Sequence, residues 1–319
     1  MKYFALSKSY LSHFTLIKAI ICGLALLASD QVFAIPISSA GSGDWSSTTT
    51  WSPAQVPTSA DGVTINHSIT VDTNAASSSI KINLGGILTM SGSNTLTLNR
   101  GTLGIAMDVR IGGTFNAGAG AINVTAAGEG VVNNGTFVGG AGAINVRDLK
   151  NGSSTNSSAA LTVGSGGIAI TNGSFYPSAG TITLNGNLTV KRNINAGAAT
   201  FSGAGKIILT DADHTITGPV NIHNLETAAF TAPRTITING AVTATGTTKL
   251  NGVSGSLIAF TGASTPTFTA FNSYYCSAAG GVTGITCNAS APPPPPVSAS
   301  INLISNEKPV IFAEEVEMK

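Results

Sequence analysis

The 319-residue chain carries 9% charged residues, 6% aromatic residues and a formal net charge of +1. A soluble globular domain usually has about a quarter of its residues charged. The near-neutral balance leaves no electrostatic footprint for nucleic acid or acidic lipid, so neither is expected as a partner. The composition is nevertheless 42% hydrophobic with 38 glycines, which argues against disorder and favours many short strands joined by tight turns.

The first 34 residues have the pattern of an export signal. Lys2, Lys8 and Lys18 give a positive start, and residues 19–28 (AIICGLALLA) form a short apolar core. Val32-Phe33-Ala34 places compact residues before a predicted cleavage after Ala34. An uncleaved membrane anchor is the alternative, although the apolar run is short for a span. We therefore expect an exported protein that is secreted, periplasmic or on the cell surface, with no stable membrane span after cleavage.

Two cysteines, Cys276 and Cys287, remain once the signal and Cys22 are removed. A closely spaced pair in an exported chain predicts one disulfide that closes a short loop. Farther on, Pro292 to Pro296 indicate a stiff linker (residues 292–297), which is followed by a short acidic tail (298–319).

Internal repeats are the main evidence for the fold. Gly113–Val124 is nearly copied 22 positions later as Gly135–Val146, and looser copies span Gly173–Leu184 and Ala199–Leu209. Each copy is a turn, a phenylalanine, a corner of small residues and a strand. Stacked copies would bury a continuous core, so we expect one interior ladder of four rings from Phe115, Phe137, Phe175 and Phe201.

Apolar residues alternate with polar ones inside each strand, as in Ile122 and Val124 around Asn123. No helical period is sustained after the signal. The predicted fold is all-β, a right-handed parallel β-helix or β-solenoid with an N-terminal cap. The alternative is an antiparallel sandwich-like repeat, which also has many short strands.

A two-tryptophan pattern opens the repetitive block: Gly43-Asp44-Trp45-Ser46, Thr50-Trp51, Val56-Pro57 and Asp61-Gly62-Val63-Thr64-Ile65. It resembles the start of G8-type domains and of bacterial surface β-helix proteins, over about residues 40–90. Residues 52–55 (SPAQ) depart from the glycine-rich turn usual in that family. The resemblance implies a G8-like cap and first coils over 35–90, with solenoid repeats over 91–291 that end in the Cys276–Cys287 loop.

Trp45 and Trp51 have two interpretations. A solenoid must cover the exposed end of its first coil, and two large indoles suit that role. The alternative is a platform on which a sugar ring stacks, which makes both residues candidate binding residues.

Acidic residues between 35 and 291 are few and scattered, and one local cluster stands out: Asp211, Asp213 and His214. Polysaccharide-cleaving β-helix enzymes need convergent carboxylates, or carboxylates with a basic partner. A polar turn is the simpler interpretation of this cluster. His223, Glu226 and Arg234 are the next groups that could reinforce it.

Metal, nucleotide and cofactor motifs are not found in the sequence, and we expect no cofactor and no metal. Thr-x-Thr pairs recur irregularly and raise the possibility of an ice- or crystal-binding face: Thr95/Thr97, Thr181/Thr183, Thr215/Thr217, Thr235/Thr237 and Thr243/Thr245.

The leading functional hypothesis from the sequence is a non-enzymatic, adhesin-like or structural extracellular protein that contacts glycans or surface and pilus proteins. A carbohydrate-active β-helix lyase or hydrolase, using Asp211, Asp213 and His214, is the second hypothesis. An ice- or crystal-binding protein is the third.

Overall fold

The computed structural model describes residues 34–99, 104–125, 130–153, 157–254, 256–262, 264–278 and 285–287. The predicted signal up to residue 33, the proline linker and the acidic tail lie outside the described residues. Within the described part the chain is a β-solenoid of about ten turns, as the sequence predicted.

Three stacked parallel sheets, here called faces A, B and C, form the sides of the solenoid. Face A contains β1 (Pro36–Ser39), β3 (Trp51–Ser52), β4 (Gly62–Ile65), β7 (Ser79–Ile82), β10 (Met107–Val109), β13 (Val131–Asn133), β16 (Leu149–Asn151) and β19 (Phe175–Tyr176). Face B contains β2 (Gly43–Asp44), β5 (Ser68–Val71), β8 (Ile87–Met90), β11 (Thr114–Asn116), β14 (Thr136–Val138), β17 (Ala160–Val163), β20 (Thr181–Leu184) and β22 (Thr200–Ser202).

Face C is an 11-stranded sheet. It contains β6 (Ala75–Ser77), β9 (Thr95–Leu98), β12 (Ala121–Val124), β15 (Ile144–Val146), β18 (Ile168–Ile170), β21 (Leu188–Val190), β23 (Ile207–Leu209), β25 (Val220–Ile222), β26 (Leu225–Thr227), β28 (Val242–Lys249) and β30 (Thr267–Phe271). A four-stranded sheet of β24 (His214–Thr217), β27 (Arg234–Asn239), β29 (Ile258–Thr261) and β31 (Cys276–Ala278) continues face A. Single parallel bridges through Ile194 join it to Phe175 on one side and to Ile216 on the other.

From β4 to β21, successive strands visit the three faces in turn, so each face grows by one parallel strand for each coil. The nearly exact repeat pairs in register, with Phe115 opposite Phe137 on face B and Ile122 opposite Ile144 on face C. One antiparallel pair, β1 with β3, lies at the N-terminal end beside a 3₁₀ turn at Thr48–Thr50.

The core follows the period-two alternation of the sequence. In β12, for example, Ile122 is buried while Asn123 is half-exposed on the outside. Inward positions along all three faces are mostly Ile, Val, Leu and Phe, and these side chains form one continuous cluster. Burial of each large side chain contributes about 1.5–3 kcal/mol. The alternation is therefore what turns each short strand into one layer of the core.

The prediction that four phenylalanines form one ladder is wrong for one of them, Phe175. Phe115, Phe137 and Phe201 share a column on face B, and the first two rings lie 4.9 Å apart. Phe175 instead lies on face A, opposite Leu149, and its ring meets that of Phe201 at 6.3 Å. Coils differ in length, so the third sequence copy starts one face earlier than the others. The other positions of the face B column are filled by Leu161 and Ile182.

Asparagines also form a ladder inside the solenoid. Asn133 and Asn151 end neighbouring strands of face A, and both are fully buried. The Asn133 amide donates to the Asn151 side-chain oxygen at 2.7 Å and to the Ala160 carbonyl at 2.9 Å. Asn151 in turn donates to the Ala179 carbonyl at 2.9 Å. This ladder satisfies buried polar groups where the chain turns from face A to face B.

Candidate functional site

The Asp211–His214 segment is the turn that leads from β23 on face C into β24. The strand alternation that begins here sends neighbouring side chains in opposite directions. Asp213 is exposed, whereas His214 is only 2% exposed and belongs to the interior. The three residues that the sequence grouped as catalytic candidates therefore do not face one surface.

Asp211 connects this turn to the following coil. One carboxylate oxygen accepts a hydrogen bond from Arg234 Nε at 2.7 Å. The other accepts bonds from the Thr231 amide, at 3.1 Å, and from the Thr231 hydroxyl. The Arg234 guanidinium, followed by Thr231, holds the pKa of Asp211 well below its usual range. Asp211 is thus an ionised acceptor, which suits a structural link and not a general acid.

Asp213 makes a similar link on the outside. Its carboxylate accepts the Thr235 backbone N–H at 2.8 Å, again in the next coil. His223 does not line the groove beside Asp213, and its Nδ1 lies 3.2 Å from the Thr245 hydroxyl. Glu226 forms an ion pair with Lys206 at 2.8 Å on face C. Most of the groups that could have reinforced a catalytic cluster therefore bond elsewhere along the solenoid.

His214 is enclosed by backbone carbonyls. Its Nε2 lies 2.8 Å from the Thr210 carbonyl oxygen, and its Nδ1 contacts the Arg192 carbonyl. The ring also stacks on Phe230 at 6.5 Å. Burial lowers the pKa of His214, and the two carbonyls only partly offset this effect. A neutral imidazole donates to one carbonyl at a time.

Trp45 and Trp51 lie in the core at the N-terminal end. They are 0% and 2% exposed, and their rings pack edge to face with centroids 5.0 Å apart. Trp51 Nε1 donates to the Trp45 carbonyl at 2.8 Å. Neither indole offers a free face to a sugar ring, so the platform interpretation is wrong for this structure and the cap interpretation fits it.

Cys276 and Cys287 are placed for the predicted disulfide, with their Cα atoms 5.4 Å apart. Cys276 begins β31, and Cys287 packs against the core. The bond therefore fastens the chain near the last described strand to the end of the solenoid.

The described part of the chain contains no group of three or more His, Cys, Asp or Glu side chains that could hold a metal ion. Nor does any helix within the described ranges have the length and apolar character needed to cross a membrane.

The five Thr-x-Thr pairs do not collect on one side of the solenoid. Thr95/Thr97 lie on face C, Thr181/Thr183 lie on face B, and Thr215/Thr217 lie in the extension of face A. The remaining pairs add to two of these sheets, Thr235/Thr237 in β27 and Thr243/Thr245 in β28. A flat array built from these pairs is therefore not formed.

Two polar pockets that the sequence did not suggest lie on the outside of the solenoid and adjoin at Asn172, and together they are here called the groove. Its first half crosses face C and is lined by Thr97, Asn123, Val124, Thr125, Asn145, Arg147, Thr171 and Asn172. Its second half continues around the corner to the extension of face A and is lined by Asn172, Lys191, Arg192, Asn193, Ala212, Asp213, His214, Thr215, Thr235 and Thr237. The two pockets share Asn172. Strands from β9 to β27 contribute to one or the other, so together the pockets extend over about 30 Å of the axis at about 4.8 Å for each coil.

Comparison with models of known protein families, with curated proteins and with solved structures gave no match to this chain. The likeness of residues 40–90 to G8-type domains therefore stays a prediction.

Proposed function

We propose that the chain is a non-enzymatic extracellular β-solenoid that acts in an adhesin-like way, by binding glycans along its outer surface. The observation that carries this proposal is the polar groove, because a ligand that spans many coils of a stiff solenoid must itself be elongated. Extended polysaccharides have that shape, and they present hydroxyl groups to the threonine and asparagine side chains of the groove.

The placement of the acidic residues supports binding in preference to catalysis. A polysaccharide hydrolase needs two carboxyl groups on either side of one glycosidic bond. Asp211 and Asp213 each accept hydrogen bonds from the next coil, and His214 is buried. These structural roles account for the three residues at this turn, and no catalytic role is needed to explain them.

Export and surface location belong to the same proposal. The signal-like first 34 residues and the disulfide pair both suit an oxidising compartment. We also propose pilus or other surface proteins as partners of the proline linker and the tail.

A glycan array probed with the mature chain tests the proposal, together with an assay for shortened or unsaturated products from the polysaccharides that bind. We expect binding without cleavage, and unchanged binding by Asp211→Asn. Cleavage that disappears in both Asp211→Asn and Asp213→Asn would contradict the proposal and favour the carbohydrate-active enzyme. Failure to bind any glycan would also contradict it.

A further inference from the structure

The walls of the groove carry more positive than negative charge, although the whole chain is nearly neutral. Among the described residues, three cations line it, Arg147, Lys191 and Arg192, together with one carboxylate, that of Asp213. Asp213 is bonded to the Thr235 amide. The described lining is therefore positive on balance.

Two of the three cations are available to a ligand. Within the described ranges, no carboxylate lies at salt-bridge distance from Lys191 or Arg192. Arg192 is exposed and contacts the Asn172 side-chain oxygen at 3.4 Å. Arg147 differs, because its Nε lies 3.5 Å from the carboxylate of Asp148.

Arg147 and Lys191 lie two coils apart along the axis. Arg147 follows β15 and Lys191 follows β21, with β18 between them in the ladder of face C. Their backbones are therefore about 10 Å apart along the solenoid. A linear ligand that spans this interval would meet Lys191 at one end and Arg147, which is paired with Asp148, at the other.

The side chains between the cations are hydrogen-bonding groups and not stacking platforms. Asn145 and Asn123 form an outer ladder at 3.0 Å, and Thr171 and Asn172 follow towards Lys191. Among the described residues, no Phe, Tyr or Trp side chain lines either half of the groove. Single-stranded nucleic acid is usually held by aromatic stacking as well as by charge, whereas the amide, hydroxyl and cationic side chains of this lining can bond the hydroxyl and carboxylate groups of an acidic sugar chain.

We propose that the groove binds a linear acidic polysaccharide, with Lys191 and Arg192 contacting its carboxylates and the asparagine and threonine side chains contacting its hydroxyl groups. This inference rests on the proposed glycan-binding function and names the class of glycan.

Binding of polygalacturonate to the mature chain tests it, with methyl-esterified polygalacturonate as the uncharged ligand of the same backbone. The double variant Lys191→Gln/Arg192→Gln is compared with Lys81→Gln/Lys150→Gln, which removes the same charge from exposed lysines of face A. We expect the groove variant to bind the acidic polymer at least about tenfold more weakly, with a shallower salt dependence. The face A variant should bind like the unmodified chain, and circular dichroism should show that all variants fold.

An equal loss of affinity for polygalacturonate in the two double variants would overturn the inference. So would binding that does not prefer the acidic polymer to the esterified one. Equally tight binding of a single-stranded DNA of matched charge would also overturn it. Glycan binding confined to neutral polymers would overturn this inference and leave the proposed function in place.

Discussion

The contribution of a residue to the stability of this solenoid depends on whether its side chain points into the core or outwards. Asparagine shows this most clearly. Asn133 and Asn151 form a ladder inside, at the turn from face A to face B, while Asn123 and Asn145 form a ladder outside, in the groove. Both ladders have similar hydrogen-bond lengths. Loss of a hydrogen bond should cost more stability in the inner ladder, because the inner amides have no access to water that could replace the lost partner.

Asn133→Ala removes bonds to Asn151, to the Ala160 carbonyl and to the Gly135 amide. Each buried group left without a partner costs about 1–3 kcal/mol, so we expect at least about 2 kcal/mol of destabilisation in urea unfolding. The matched change Asn145→Ala, on the outside, should cost no more than about 0.5 kcal/mol. Similar losses for the two variants would show that the inner ladder is unimportant.

His214 should make the stability of the protein depend on pH. Burial lowers the pKa of His214 in the folded state, whereas the unfolded chain has a value near 6.5. Below that pH the unfolded state binds more protons, so the free energy of unfolding falls as the pH falls towards the folded-state value. Nearby Asp213 raises the folded-state pKa and Lys191 lowers it, and both effects are smaller than that of burial.

The test compares unfolding free energies at pH 8 and pH 5.5. The unmodified chain should lose more stability between these values than His214→Gln, whereas His67→Gln, a change at the N-terminal end, should behave like the unmodified chain. A pH dependence that survives in His214→Gln would assign the effect to other groups.

At the scale of elements, the corners decide how closely the coils can stack. Glycines of successive turns meet backbone to backbone between faces B and C. A Cβ built on Gly140 would lie 1.5 Å from the Gly118 carbonyl oxygen, and one on Gly142 would lie 2.1 Å from that of Gly120. The GAG motifs of the repeat therefore allow neighbouring corners to approach.

Gly140→Ala should force the corners of two coils apart and cost about 1–3 kcal/mol, measured as a lower denaturant midpoint. Gly41→Ala is the control, because nothing lies within 4 Å of a Cβ at Gly41. An alanine at 140 that is tolerated as well as one at 41 would mean that the corner is looser than its geometry indicates.

The described part of the molecule is a stack in which each coil contacts mainly its neighbours. Different interactions stabilise its two ends. Trp45 and Trp51 pack together in the core at the N-terminal end, where Trp51 begins β3 of the antiparallel β1–β3 pair. The disulfide fastens the other end of the described part. Stability in such a stack is close to a sum of coil and interface contributions, so a change at one end acts mainly there.

Replacing both Cys276 and Cys287 with serine should therefore loosen the C-terminal coils without unfolding the N-terminal ones. A loop of this size contributes about 3 kcal/mol on the loop-closure model. Hydrogen exchange should become faster in β29 and β31 and stay unchanged in β4 to β15. A uniform increase along the chain would contradict the one-dimensional picture.

The all-β solenoid, the inward apolar positions and the disulfide pair could be predicted from the sequence, because alternation, repeat length and cysteine spacing are local properties of the chain. The face that each strand occupies depends on the stacking of the coils, since coils of unequal length place Phe175 outside the column of Phe115 and Phe137. The stacking of the coils also determines which residues come together in the groove. Asp213 and His214 are neighbours in sequence, yet Asp213 is exposed and His214 is buried. Arg147 and Lys191 lie 44 positions apart in the numbering and line adjoining pockets. The stacking of parallel coils brings distant residues into columns and separates adjacent ones, and no local pattern records that arrangement.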